Sequence, residues 1–348
     1  MSSNKSKPKV LVTGSAGFIG SHIYDLLFAM GYEVYGVDDL SGGFMRNVSQ
    51  KKFFTKLDLR DRSKTAAYIE KVKPDVIFHL AADATEGRSQ FTPFSAMDRN
   101  IVAYNNVLIP AIKHGLKKMI LTSSMSVYGA QQVPFKESMD PQPEDIYGIS
   151  KMSMEKTTHV LADVYGFKYV IIRPHNVYGK NQNLSDPYRN VVGIFINSLL
   201  HGKGFYVYGD GTQKRAFSYI DDVAPAMVKA AFKKECEGKT INIGSDEAVT
   251  LNKLAETVLK TFYGDIRNVP KNIFPKHVSD RLREVKYAYC EHKVAEKFLG
   301  FRPKIKLSEG VSKMTKWAKS IGKQPFVYLT KLELEHPKAP KTWTEKLI

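Results

Sequence analysis

One glycine-spaced loop restricts the fold of this chain more than any other feature. Thr13-Gly14-Ser15-Ala16-Gly17-Phe18-Ile19-Gly20 directly follows an apolar run, Lys9–Thr13, and opens a helical pattern that runs from Gly17 to Met30. Gly14 permits the tight turn, Gly17 lets backbone approach a pyrophosphate, and Gly20 lets the helix pack on the strand. An anion then rests on the helix N-terminus, where free N–H groups and the dipole favour it. A glycine triplet alone is a weak signal. Here strand and helix flank it, and Asp38 closes the second strand at the spacing expected of a ribose-binding carboxylate. Such a carboxylate accepts from ribose hydroxyls and repels a 2′-phosphate. No arginine follows before Arg46, so the pattern predicts NAD rather than NADP.

The rhythm continues through the first half. Short β-type runs at Glu33–Val37, Phe53–Lys56, Val76–His79, Met119–Thr122 and Tyr169–Ile172 alternate with helical patterns at Asp61–Val72, Phe94–His114 and Tyr147–Tyr165. Alternation of this kind gives a parallel sheet covered on both faces. The expected class is α/β: a Rossmann doubly wound parallel sheet with a smaller C-terminal substrate-binding α/β lobe. After Arg173 the rhythm breaks, and a polar stretch runs from Tyr178 to Arg189. Helical patterns return at Val192–His201, Asp222–Lys234 and Leu251–Phe262. The expected division is residues 1–175 for the dinucleotide unit, with segments near 212–245 returning to it, 176–322 for the lobe, and 323–348 for an ordered arm with no assigned place.

The 348 residues suffice for a well-buried core, and 43% hydrophobic with 25% charged residues is ordinary for a soluble globular protein. Cys236 and Cys290 lack metal-type spacing and read as free thiols in a reducing compartment. The stretch Met1 to Pro8 is polar and basic, unlike a secretory signal, and no apolar run reaches bilayer length. A cytoplasmic protein without metal is expected. The net charge of +17 is spread along the chain. A solvated basic surface that draws in a pyrophosphate-bearing substrate is therefore preferred to a nucleic-acid role.

Further expectations follow at the strand ends. Asp58-Leu59 ends the third strand, where adenine contact or a helix cap around Asp58 are both open. Leu80-Ala81-Ala82 ends the fourth, where small side chains leave room for the nicotinamide half. Tyr147 and Lys151 stand one helical turn apart and share a face. An ammonium beside a phenol stabilises phenolate and makes the phenol a usable base. Ser124, in Ser123-Ser124-Met125-Ser126-Val127-Tyr128-Gly129 after the fifth strand, can hydrogen-bond the same oxygen that such a base would deprotonate. Tyr128 reads as packing.

These motifs, with Tyr-x-x-x-Lys and Arg173-Pro174-His175-Asn176-Val177-Tyr178-Gly179, resemble those of the extended short-chain dehydrogenase/reductases. Specifically, the chain resembles the NAD-dependent epimerase/dehydratase family over residues 9–310, and its UDP-glucose 4-epimerase branch most. The resemblance implies transient oxidation of a nucleotide-linked sugar: Tyr147 as base, Ser124 assisting, Lys151 holding the ribose and tuning Tyr147. It adds Asn100 and Pro174 to the cofactor contacts. On the substrate side it implies Ser126, Asn176, Asn190, Val191, Tyr208 and Arg215, with Arg281 or its neighbour Arg283 as second phosphate cation. His175 is either a site residue or a structural one.

Two departures bear on chemistry. Dehydratases of the family carry Thr-Asp-Glu where this chain has Ser124-Met125-Ser126, so 4,6-dehydration is disfavoured. The residue that sets pocket size falls on Tyr287 or Ala288. The resemblance further implies a homodimer paired through Phe94–His114 and Tyr147–Tyr165. Alternatives are a dTDP- or GDP-sugar epimerase, a reductase or decarboxylase on the same scaffold, and a non-catalytic dinucleotide-binding scaffold with RNA affinity.

Overall fold

A computed structural model describes residues 7–329 and 331–348, so most of the basic opening stretch lies outside the described residues. Strands β1 (Lys9–Thr13), β2 (Glu33–Asp38), β3 (Phe54–Lys56), β4 (Val76–His79), β5 (Lys118–Thr122) and β6 (Lys168–Pro174) form a sheet with strand Lys239–Ile243. The order is Lys239–Ile243, β6, β5, β4, β1, β2, β3, and every pairing is parallel. Chain order reverses beside β1, which creates the crevice where ligands of open α/β sheets bind.

Alternation along the strands splits the core in two. Val10 and Val12 pack with Ile23 and Leu27 of α1 (Phe18–Ala29) and with the helix Ile220–Phe232. Leu11, pointing the other way, packs with Ile69 of α2 (Arg62–Val72) and with Val107 and Met154. A fully buried aliphatic side chain of this kind contributes about 1.5–3 kcal/mol.

The expected single helix Phe94–His114 is broken. After α3 (Glu86–Ser89), α4 (Pro93–Met97) runs through a widened π turn at Asp98–Val102 into α5 (Ala103–Lys113). Periodicity carries through all three, which hides the extra residue from a pattern reading. Helix α6 (Ile146–Tyr165) is continuous and is capped by Asp145, whose carboxylate accepts from Gly148 N–H at 2.7 Å.

Beyond β6 the elements shorten. Helices Val191–Leu200, Leu251–Tyr263 and Leu307–Ile321 pack on one another beside small sheets that join Tyr206–Tyr208 to Lys276–Val278, and Lys214–Ala216 to Ala248–Thr250 and Tyr287–Ala288. No described helix is long and apolar enough to cross a membrane.

Candidate active site

The parallel register brings Thr13, Asp38, His79 and Thr122 to one edge of the sheet. The loops leaving that edge line a cavity of about 720 Å³, whose far wall comes from the C-terminal half. Gly14, Gly17, Phe18, Ile19 and Gly20 form its floor at the first turn of α1. At Gly14 (φ +70°) a Cβ would stand 2.8 Å from Ala81 N, and at Gly20 it would stand 2.0 Å from Gly14 O. Loop, helix and β4 therefore approach as only glycine allows.

Asp38 is buried beside this turn. Its Oδ2 accepts from Ala16 N–H at 3.1 Å and its Oδ1 from Leu40 N–H at 2.8 Å. Burial pushes its carboxyl above the usual carboxylate range. Leu80, Ala81, Ala82, Asp58, Leu59 and Pro174 also line the cavity. Asp58 caps no helix: it grips Arg60 at 2.6 Å, which lowers its pKa, and the cap of α2 is Asp61. Ala16 and Asn100 stand behind the wall rather than in it. Asn100 is fully buried, accepting from Asp83 N–H at 2.8 Å and donating to Ser150 Oγ at 2.9 Å.

Helix α6 and the turn after β5 bring Tyr147, Lys151 and Ser124 together on this edge. Lys151 Nζ donates to Thr122 O at 2.8 Å and lies 5.7 Å from the Tyr147 ring centre. Burial lowers Lys151 to about 8. Tyr147 departs from expectation: burial and then the charge of Glu86 raise its phenol, while a hydrogen bond from Ser124 works the other way. Lys151 alone does not overcome the loss of solvation. Ser126 N–H donates to Ser124 Oγ at 3.1 Å, and Ser126 Oγ donates to Asp145 at 2.9 Å. Behind them, Arg173 and Ser123 saturate Glu155 (2.9, 2.6 and 2.5 Å), which ties β5, β6 and α6 together.

The opposite wall carries the cations. Arg215 Nη2 donates to Glu284 Oε1 at 2.8 Å, and Arg281 Nε donates to Glu284 Oε2 at 2.6 Å. One carboxylate thus holds both. Arg283 also lines the cavity but pairs with Glu144 at 2.5 Å instead and is largely exposed. Arg281 also stacks on Tyr208, 5.0 Å from its ring centre. Asn176, Asn190 and Val191 line the same cavity, and both asparagines adopt positive φ (41° and 65°). Ala288 is buried on its wall, whereas Tyr287 points outward. His175 is structural: buried, it meets Ser245 O at 3.3 Å and His292 Nε2 at 3.2 Å.

The model of the NAD-dependent epimerase/dehydratase family matches residues 10–244. The chain belongs to that family. It is 34% identical over 314 residues to the UDP-glucose 4-epimerase of Mycolicibacterium smegmatis, covering 88% of this chain and 96% of that one. The structure of Thermotoga maritima UDP-glucose 4-epimerase with UDP-glucose superposes with a TM-score of 0.82 at 33% identity, covering 90% of this chain and 99% of that one. Methanobrevibacter ruminantium UDP-N-acetylglucosamine 4-epimerase, in complex with UDP-N-acetylmuramic acid, gives 0.81 at 31% identity, covering 91% and 99%.

The cofactor of this epimerase/dehydratase chain is NAD, and the floor of the cavity fits it. The first-turn N–H groups of α1 have no acceptor within the helix and open on the cavity. The missing Cβ atoms leave room above them, and Asp38 stands at the end of β2.

Sequence reasoning missed several charged residues of the cavity. Glu86 lines the cavity, where desolvation by the surrounding protein and then the charge of Asp145 push its carboxyl up. Arg88 pairs with Asp83 at 2.6 Å and lies 4.8 Å from the Tyr188 ring centre. Arg189 pairs with Asp186 at 2.6 Å. Arg189 and Asp186 belong to the polar stretch already set apart in the sequence, whereas Arg88 does not. Glu86 sits in an undistinguished segment and gave no signal.

Proposed function

We propose that this chain is an NAD-dependent nucleotide-sugar 4-epimerase of the UDP-glucose/UDP-galactose type. One observation carries the reading. A single cavity joins the Ser124–Tyr147–Lys151 group to two arginines that converge on one carboxylate. A sugar linked to a pyrophosphate has the same two ends. Arginine's planar fork suits the phosphates, and Glu284 gives way to them.

Tyr147 takes the proton of the sugar C4 hydroxyl, and Ser124 holds that oxygen. Oxidised NAD, when bound on the α1 turn, would supply the hydride acceptor and donor, and its positive charge would favour the phenolate form of Tyr147. Lys151 orients the ribose. Arg215 and Arg281 hold the pyrophosphate while the flat 4-keto sugar turns about it, so reduction occurs on the other face. Met125 and Ser126 provide no acid for elimination of water. Ala288 rather than Tyr287 lines the cavity, and a small side chain there supports acceptance of N-acetylated sugars beside the plain hexose.

Val102, Ile109, Val160 and Val164 lie exposed on the two helical segments expected to pair. They support a homodimer, and light scattering at micromolar concentration should give twice the chain mass. Incubation with UDP-, dTDP- and GDP-sugars followed by NMR tests the activity. A C4 epimer without cofactor consumption supports it; a reduced or decarboxylated product replaces it with the neighbouring chemistry.

A further inference from the structure

The segment after Leu307–Ile321 is not a loose tail. Gln324 N–H donates to Asn197 Oδ1 at 3.0 Å, Val327 N–H to Ser185 O at 2.8 Å, and Leu329 N–H to the Tyr188 hydroxyl at 2.8 Å. The chain then crosses to the sheet side of the cavity. Glu333 N–H donates to Phe91 O at 3.0 Å, and the Glu333 carboxylate accepts from Phe94 N–H at 2.8 Å and Ser95 N–H at 2.9 Å. It returns to bury Trp343 between Phe91 and Tyr188, with ring centres 6.1 and 5.5 Å away. Thr342 hydrogen-bonds the Tyr208 hydroxyl. The tip of Trp343 lies 3.4 Å from where a Cβ on Gly87 would stand, beside Arg281.

The segment therefore laces both walls of the cleft together on its arginine-lined side. Its side chains Tyr328, Thr342 and Trp343 face the cavity. Among its described residues, apart from one short helix, Lys341–Thr344, it has no regular structure. Separate hydrogen bonds to surrounding loops and one buried aromatic anchor hold it, rather than a strand ladder or a long packed helix, which is the profile of an element that opens locally at less cost than the fold. The M. smegmatis and T. maritima relatives match about nine-tenths of this chain while being almost fully covered themselves.

We propose that residues 324–329 and 331–348 form a closing wall of the substrate cleft, with Trp343 and Thr342 against the nucleoside diphosphate, and that this wall undocks for substrate exchange. The inference rests on the nucleotide-sugar reading. Hydrogen exchange on the NAD-loaded protein, with and without UDP, tests it together with UDP dissociation by stopped flow. UDP should slow exchange across 339–348. Trp343→Ala should speed UDP dissociation by about tenfold or more with NAD content unchanged, as loss of a buried aromatic anchor acts mainly on off-rates. Should Trp343→Ala fail to fold, Glu333→Gln weakens only the anchor at α4 and should shift dissociation the same way by a smaller factor. UDP binding with unchanged exchange and dissociation overturns the arm's role and leaves the nucleotide-sugar reading intact. Absence of UDP binding overturns both.

Discussion

Lys151 donates its ammonium proton to Thr122 O at 2.8 Å and stands 5.7 Å from the centre of the Tyr147 ring. It is therefore fixed by the end of β5 rather than bonded to the phenol. Burial has brought it down to about 8, so its charge is lost within the range where enzymes are assayed. The proposed role needs that charge. We predict that kcat/KM falls as pH rises above about 8. Lys151→Arg, which keeps its proton throughout, should show low activity without that alkaline limb. A wild-type profile flat to pH 10 would separate the lysine charge from turnover.

Two buried histidines set the acid limit of stability. His79 and His175 stay neutral down to about pH 3, because burial disfavours the imidazolium and nearby Lys151 and His292 add to this. Unfolded, each takes a proton near 6.5. The unfolded chain then binds more protons between these values, so stability rises with pH across that window and is lost as pH falls through it. At pH 5 the loss is roughly 2 kcal/mol per histidine. Melting temperature should fall steeply from pH 6.5 to 4, and a His79→Gln, His175→Gln double variant should show a flatter slope, whatever its absolute stability.

Removing one arginine of the pair that shares Glu284 does two things. It deletes a phosphate contact and leaves the carboxylate half-compensated where the phosphate would sit. Arg215→Ala should weaken UDP binding about 10- to 100-fold by calorimetry, corresponding to the 1.5–3 kcal/mol of a charge-assisted hydrogen bond. NAD content should not change. Unaltered UDP affinity would detach Arg215 from the substrate.

The sheet was legible because each of its first six strands is a short apolar run followed by a turn, and the spacing of Gly14, Gly17, Gly20 and Asp38 admits few alternatives. The positions of Ser124, Tyr147 and Lys151 followed, since strand ends and one helical turn fix them. Asn100 shows the limit: resemblance alone set it with the cofactor, and only the structure shows its amide bonded to Asp83 and Ser150 behind the cavity lining. Glu86 and the arm were not legible for another reason. Their place depends on contacts across nearly the whole chain, such as Glu333 with Phe94 and Trp343 with Phe91, and no local period records such pairs. The widened turn at Asp98–Val102 escaped because one extra residue barely disturbs a helical pattern.

The central claim is that hydride leaves C4 of the sugar and returns to the same carbon with Tyr147 managing the proton. UDP-glucose carrying deuterium at C4 tests it directly. The account predicts UDP-galactose with the deuterium retained at C4, no accumulation of reduced cofactor, and a Tyr147→Phe variant that keeps its NAD but turns over about 10²–10⁴-fold more slowly. Loss of the deuterium to solvent, or near-normal turnover in that variant, would contradict it.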